Sequence, residues 1–366
     1  MQRVLILFPV IFLILACKKD KMDPVCNDCD LTGIAYNPTP YSITRPVGFG
    51  EMDIPSDNLL TEEGIELGRF LFYDPILSKD STISCGSCHL QEHGFTDAKP
   101  ISIGVNGSTG TRSAMSLFNV GYYNTGLFWD GRSSTLEKQA LEPIENPLEM
   151  HEMWPNVEAK LQRSKTYREM FRKAFGISNK KEITKELAAK ALSQFQRTLL
   201  SYNSRYDEIF LRQEGFPTEQ ELRGYDMYFN TSLDLPDAQC GHCHNGFLLT
   251  NNGYFNNGMD SVGNLMNYPD PGKGKITGQY FDYGKFRAPS LRNIGYTAPY
   301  MHDGRFKTIA EVMDHYIDHV KNVANLDPNL AILNLTQSQR EDVIEFLKML
   351  DDPSAIKNPK YSNPFK

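Results

Sequence analysis

The sequence has no excess of basic residues: 38 Lys and Arg stand against 45 Asp and Glu, a net charge of −7. That balance argues against a nucleic-acid partner, which would favour a basic patch, and it is too mild to name any other partner. The sequence also lacks, at its N-terminus, an apolar run long enough to cross a bilayer. The run over 4–16 holds thirteen residues, too few to span as a helix. Strand signals are few. Apolar residues make up 40% of the chain and charged ones 23%, enough to bury a core and to exclude a disordered chain. The 366 residues suggest two domains of ordinary size.

Arg3, the apolar run and Cys17 together have the layout of an export signal. Ile14-Leu15-Ala16-Cys17, followed by polar Lys18-Lys19-Asp20, resembles a bacterial lipobox, in which cleavage before the cysteine leaves a lipidated N-terminus. The alternative is an ordinary cleaved signal with an incidental cysteine. The expectation is a lipoprotein-type signal over 1–17, a flexible tether over 18–50 rich in Pro, Asn, Asp and Thr, and a periplasmic protein attached to a membrane by a lipid anchor.

Seven cysteines are present. Cys26 and Cys29 have no histidine after them and no βαβ pattern around them, so they read as a local disulfide of an oxidising compartment rather than a redox dithiol. The other four beyond Cys17 fall in Cys85-Gly86-Ser87-Cys88-His89 and Cys240-Gly241-His242-Cys243-His244. Two thiols three positions apart on a helical turn can reach the two vinyl groups of one haem. The histidine directly after the second thiol then projects to the iron as proximal ligand. Zinc could use the same donors, but a zinc site does not explain why the same five-residue pattern recurs in two similar settings. Two covalently bound haem c groups are therefore expected. Export agrees with this, because c-type haem is attached outside the cytoplasm in bacteria.

The settings repeat weakly. Thr61-Glu62-Glu63 opens a helical stretch with Ile65, Gly68 and Phe72 before Cys85; Thr218 to Glu221 opens another with Leu222, Gly224 and Tyr228 before Cys240. Both starts look like helix caps, and the second has capping-box spacing. Further helices are expected over 182–200, 308–320 and 337–350, with loops over 251–274. The fold expected is mainly α: an N-terminal cytochrome c-like domain over 51–204, a C-terminal one over 205–352, each with one haem, and a tail over 353–366.

Five further segments carry a family resemblance: 68–74 (Gly-Arg-Phe-Leu-Phe-Tyr-Asp), 128–132 (Phe-Trp-Asp-Gly-Arg), 146–150 (Asn-Pro-Leu-Glu-Met), 286–293 (Phe-Arg-Ala-Pro-Ser-Leu-Arg-Asn) and 297–304 (Thr-Ala-Pro-Tyr-Met-His-Asp-Gly). In order and spacing these resemble the bacterial dihaem cytochrome c peroxidases and the related methylamine-utilisation enzyme MauG, from about residue 55 to 350. The resemblance implies that the N-terminal haem is the peroxide site and the C-terminal haem accepts or stores electrons. It implies that Trp129, which alone would read as core, relays electrons between them. It also places Gln139, Pro143 and Glu149 in the distal pocket of the first haem. Peroxide cleavage needs a base that takes a proton from one oxygen and returns it to the other, and a carboxylate in a dry pocket can do both. Without the resemblance Glu149 would be a solvated helix-end carboxylate.

Two departures from the family stand out. Many dihaem peroxidases carry a histidine after the first haem motif that blocks the iron until the enzyme is reduced. Val105 holds the matching position, and no histidine occurs between His93 and Trp129. The first haem is thus expected to be open without prior reduction, with Met115 the first suspect should it prove blocked, and His93 a supporting or surface residue. The family also often holds calcium between the haems. Carbonyls of Thr297 and Pro299 match two ligands, but Ser113 stands where an asparagine is usual, a weaker ligand. For the second haem the resemblance implies a distal methionine or, as in MauG, a tyrosine, fourteen residues after His302. That position is Tyr316, on the apolar face of the helix expected over 308–320, with Met313 and Met301 as competitors and His315 and His319 on a solvated side. The function implied is reduction of hydrogen peroxide with electrons from a small c-type cytochrome or copper protein. The alternatives are MauG-like oxidation of residues in a partner protein and a dihaem electron carrier without catalysis.

Overall fold

The computed structural model describes residues 29–366. The signal expected over 1–17, Cys17 and Cys26 lie outside the described residues. Cys29 is disulfide-bonded, and the four cysteines of the haem motifs are free. Among the described residues no helix is long and apolar enough to cross a membrane. The chain is mainly helical. Its sheet among the described residues is one antiparallel pair, Tyr254–Phe255 with Phe286–Arg287.

The principal helices are α1 (Glu62–Tyr73), α2 (Leu136–Glu145), α3 (Trp154–Arg163), α4 (Lys165–Phe175), α5 (Lys185–Thr198), α6 (Glu219–Phe229), α7 (Ile309–Asp314) and α8 (Gln337–Lys348). Threonine caps most of them. Thr61 accepts from the Gly64 N–H at 3.0 Å, and Thr218 with Glu221, Thr308 with Glu311, and Thr336 with Gln339 form reciprocal capping boxes. Each such cap contributes about 1 kcal/mol. The helix expected over 182–200 begins only at Lys185, because Glu182 closes a separate turn with Asn179 and Thr184 is the cap.

The weak repeat of the sequence is a repeat of packing. α1 crosses α5, and α6 crosses α8. At each crossing a glycine sits against backbone: an added β-carbon at Gly68 would overlap the Ala191 carbonyl oxygen, and one at Gly224 would overlap that of Asp342. One helical turn on, Phe72 meets Phe195 with ring centroids 5.4 Å apart, and Tyr228 meets Phe346 at 4.8 Å. Two separate cores result, one around Leu67, Leu71 and Phe195, the other around Met227, Val343 and Phe346. Asn119 and Asn293 take left-handed backbone and donate their N–H to Leu199 and Leu350, just beyond α5 and α8. The buried Asp207–Arg292 ion pair, 2.8 Å, lies at the junction, with the guanidinium 4.8 Å from the Phe49 ring centre.

Three expectations are corrected. The described part of the tether, 29–50, lies on the body. Leu31 donates its N–H to Ser178, Thr39 hydrogen-bonds Glu63, and Phe49 is buried between Tyr122 and Phe247. Isolated apolar anchors of this kind leave no periodicity to read. The tail is likewise packed: Tyr361 joins the first core, Arg69 donates to the Ser362 carbonyl at 2.7 Å, and Tyr73 to that of Tyr361 at 2.6 Å. Finally, 308–320 is not one uniform helix. α7 stops at Asp314 and a π-helical turn follows, His315–His319. The wider turn rotates His315 inward, where it is buried with Nε2 3.0 Å from the Asn257 carbonyl, while His319 stays exposed.

Candidate haem sites

Both motifs present the same donor geometry. Cys85–Cys88 is a short helical turn, capped by Ser84 and Ser87. The N–H of His89 reaches the Cys85 carbonyl at 2.9 Å, and that of His244 reaches Cys240 at 2.9 Å. His89 Nδ1 is 2.7 Å from the Phe95 carbonyl and His244 Nδ1 is 3.0 Å from the Pro289 carbonyl. A carbonyl only accepts, so each Nδ1 carries the proton and each Nε2 keeps its lone pair for a ligand role. Burial lowers both pKa values, to about 4 for His244, so the rings are neutral at neutral pH. Burial also pushes the Cys85, Cys240 and Cys243 thiols up to about 12 and raises Cys88. Among the described residues no three His, Cys, Asp or Glu groups converge to hold a bare metal ion. Two spaced free thiols with an oriented neutral imidazole fit a covalent haem better than zinc.

A cavity of about 900 Å³ opens on Cys85, Cys88 and His89. Glu149, Gln139, Pro143 and Trp129 all line it. Gln139 and Pro143 sit one turn apart on α2, and the proline, lacking an N–H, leaves the Gln139 carbonyl without its helical donor. The helix ends in a tight turn that aims Glu149. Asn146 accepts from the Leu148 N–H at 3.0 Å and donates Nδ2–H to Glu149 Oε1 at 2.7 Å. Val105, buried on the loop over 103–109, donates its N–H to the Glu149 carbonyl at 2.9 Å. Burial raises the Glu149 pKa above its ordinary value, opposed in part by the Asn146 donation and by Arg132. Arg132 itself lies over the Phe128 ring at 3.5 Å.

Met115 lines the same cavity, its main chain lies against the His89 imidazole and its Sδ is 3.7 Å from Arg287. The helix of the first motif does not continue to His93. The chain turns through Gln91–His93 and a left-handed Gly94. Trp129 is pinned to both halves of the molecule. Its Nε1–H donates to the Ser113 carbonyl at 2.9 Å, and its carbonyl accepts from the Arg287 N–H at 2.8 Å. Ser113 donates Oγ–H to the Met301 carbonyl at 2.9 Å and its N–H to His302 at 2.7 Å.

At the second motif, burial pushes the Tyr316 hydroxyl up to about 12, with the Cys243 and Cys240 thiols near it. Asn257 Nδ2 lies 3.5 Å from Tyr316 Oη and 3.4 Å from Met301 Sδ. Met313 instead packs in the second core. The two halves correspond here as well: Trp129-Asp130-Gly131-Arg132 matches His302-Asp303-Gly304-Arg305. Both stretches are bracketed by bridges, Leu127 with Ser133 and Tyr300 with Phe306, and both Phe128 and Met301 have positive φ. The spacing that relates Asp130 to Asp303 also relates Pro143, in the first cavity, to Tyr316.

A family model for di-haem cytochrome c peroxidase matches residues 62–215. The chain is 31% identical to the methylamine utilization protein MauG of Methylorubrum extorquens over 312 residues, covering 84% of this chain and 83% of that one. It is 36% identical to the cytochrome c551 peroxidase of Nitrosomonas europaea over 252 residues, 68% of this chain and 71% of that one. Among solved structures it resembles a MauG-like protein associated with microbial copper homeostasis, with a TM-score of 0.82, 35% identity, and coverage of 89% of this chain and 100% of that one.

The chain belongs to the dihaem cytochrome c peroxidase family. A dihaem peroxidase is an oxidoreductase that carries haem. Sequence reasoning missed several residues of the first site. Asn146 was legible as part of a segment that carries the resemblance, but not as the hydrogen-bond donor to Glu149. Arg132 and Arg287 lie in segments that carry the resemblance, but nothing local showed that they reach the cavity. Asn257 sits in a loop with no pattern at all.

Proposed function

We propose that the protein reduces hydrogen peroxide to water at a haem held by Cys85, Cys88 and His89. Its electrons come from a small c-type cytochrome or copper protein through a haem held by Cys240, Cys243 and His244. The observation that carries this reading is Glu149. Its carboxylate lines the cavity that opens on His89, with Oε1 fixed by Asn146 and Oε2 free of a partner among the described residues. When bound, the haem supplies the iron that ligates peroxide and exchanges electrons with it. Each peroxide consumes two electrons and two protons. Glu149 Oε2 would take a proton from one peroxide oxygen and return it to the other as that oxygen leaves as water. Gln139 and Pro143 wall the same side of the cavity, and the proline offers no donor atom that could occupy an iron. The matching position in the second half is Tyr316, whose hydroxyl would be a ligand of the second haem, with Asn257 Nδ2 3.5 Å from it. Trp129, tied to both halves, is the relay between the two haems.

In this reading 51–204 forms the peroxide-reducing unit and 205–352 the electron-accepting unit. Calcium between the haems is part of this reading only as the resemblance implies it: the Thr297 and Pro299 carbonyls would be its protein ligands, with water completing the six to eight oxygens a calcium ion takes, while the Ser113 hydroxyl donates to the Met301 carbonyl. Export to the periplasm and a lipid anchor on Cys17 rest on the sequence of 1–17 alone. A second reading, MauG-like oxidation of a partner protein, is favoured by the 31% identity to MauG and by Val105 in place of a blocking histidine. A non-catalytic carrier has no use for a cavity with a poised carboxylate. Steady-state assay of the two-haem enzyme with peroxide and a reduced c-type cytochrome or copper protein tests the proposal. Sustained donor oxidation is expected. No turnover with either donor, together with a long-lived oxidised protein, would overturn it in favour of the second reading.

A further inference from the structure

Arg287 is 3% exposed and has no carboxylate partner among the described residues. The other arginines of the seam are paired: Arg292 with Asp207, and Arg112 with Asp130 and Asp270. Arg287 Nη1 donates to the Gly126 carbonyl at 2.9 Å, Nη2 reaches only the Met115 sulfur at 3.7 Å, and the guanidinium carbon lies 4.2 Å from the Tyr123 ring centre. Its Nε is buried without any hydrogen-bond partner. An isolated buried guanidinium is strongly disfavoured, and a cation with an unused donor calls for an anion. The side chain lines the cavity that Cys85, Cys88 and His89 also line. Its backbone is fixed by the Trp129 carbonyl on one side, and two residues later by Pro289, whose carbonyl holds His244.

We propose that Arg287 binds a propionate carboxylate of the haem held by His89. The inference rests on the haem reading given above. It assigns the propionate to the first haem because Nη2 lies against Met115, whose main chain touches the His89 ring. The guanidinium fork matches a carboxylate with two parallel N–H donors, and Nε is the donor now unused. A fixed cation in a dry site favours the reduced, less positive state of the nearby iron, so Arg287 holds the potential of that haem up. It is a positioning and tuning residue and takes no proton in the reaction.

The test uses the holoenzyme with both haems attached, counted by mass, so that failure of the haem reading shows up separately as missing haem. Spectroelectrochemical titration resolves the two haems. Arg287→Gln should lower the potential of the haem on His89 and leave that of the haem on His244 in place, while Arg287→Lys, which keeps the charge, should lower it less. An unchanged potential in the glutamine variant, an equal drop in the lysine variant, or a shift confined to the haem on His244 would each overturn the proposal. Should the glutamine variant not fold, the lysine variant still decides by resonance Raman. Loss of the two-point contact should move the propionate bending band of the first haem, and an unmoved band contradicts the assignment.

Discussion

Replacing Glu149 by glutamine removes one capability and little else. Glutamine is isosteric, and its Oε1 can still accept from Asn146 Nδ2, the contact that orients the native side chain at 2.7 Å. What disappears is the oxygen that accepts and returns a proton. Lost acid–base catalysis costs about 10²–10⁴ in rate, equivalent to about 3–5 kcal/mol of barrier. The pH dependence sharpens the test. Burial raises the Glu149 pKa above its ordinary 4.5, and only the ionised form accepts a proton. The native rate should therefore fall as pH drops through that raised pKa, and the glutamine variant should lose this limb. Stability moves the other way. A carboxyl whose folded pKa is raised costs stability once it ionises, from the unfolded value upward, and costs nothing below it. At neutral pH Glu149→Gln should melt no lower than the native protein. Rapid mixing of oxidised holoenzyme with peroxide, together with thermal melts, measures both. A variant that reacts as fast as the native enzyme with the same pH profile, or one that is slow only because it melts lower, would refute the role.

The haem count should be two by mass, with Cys85→Ala and Cys240→Ala each weakening one attachment; zinc without haem would contradict the donor geometry of both motifs. Gly68→Ala and Gly224→Ala should each destabilise, since the new methyl overlaps backbone and meets the Phe195 or Phe346 β-carbon at 2.9 or 2.8 Å. Overpacking of this kind costs about 1–3 kcal/mol, which should appear as a drop of several degrees in Tm, and an unchanged Tm would deny the close crossing. Tyr316→Phe should alter the ferric spectrum of the second haem, whereas a near-infrared methionine–iron band present in the native protein and surviving the change would give the ligand role to a methionine.

What the sequence revealed is what local chemistry dictates. The threonine caps of α1 and α6 and the paired glycines, Gly68 and Gly224, are short-range signals, and each appears where the pattern puts it. What it hid depends on chain segments far apart. Residues 29–50 read as a tether because Leu31 and Phe49 are single anchors whose partners, Ser178 and Phe247, lie far along the chain. His315 read as solvated because a regular helix was assumed, and the π turn rotates it onto Asn257. Arg287 and Asn146 lie in segments of the resemblance, which gave neither of them a role. Their positions follow from the meeting of the two halves and from a turn beside Glu149. Glu149, Gln139, Pro143 and Trp129 would have stayed anonymous without the family resemblance, since neither charge nor periodicity marks them.

The central claim is that peroxide reacts at the His89 site of the fully oxidised protein, because the resemblance puts Val105 where a blocking histidine would be. Mixing the as-isolated ferric holoenzyme with one equivalent of peroxide, and following the Soret band of each haem in time, measures this directly. An immediate second-order change at the haem on His89, without any added electron, is predicted. A ferric protein with both haems low-spin that stays inert to peroxide until one electron is supplied would contradict it.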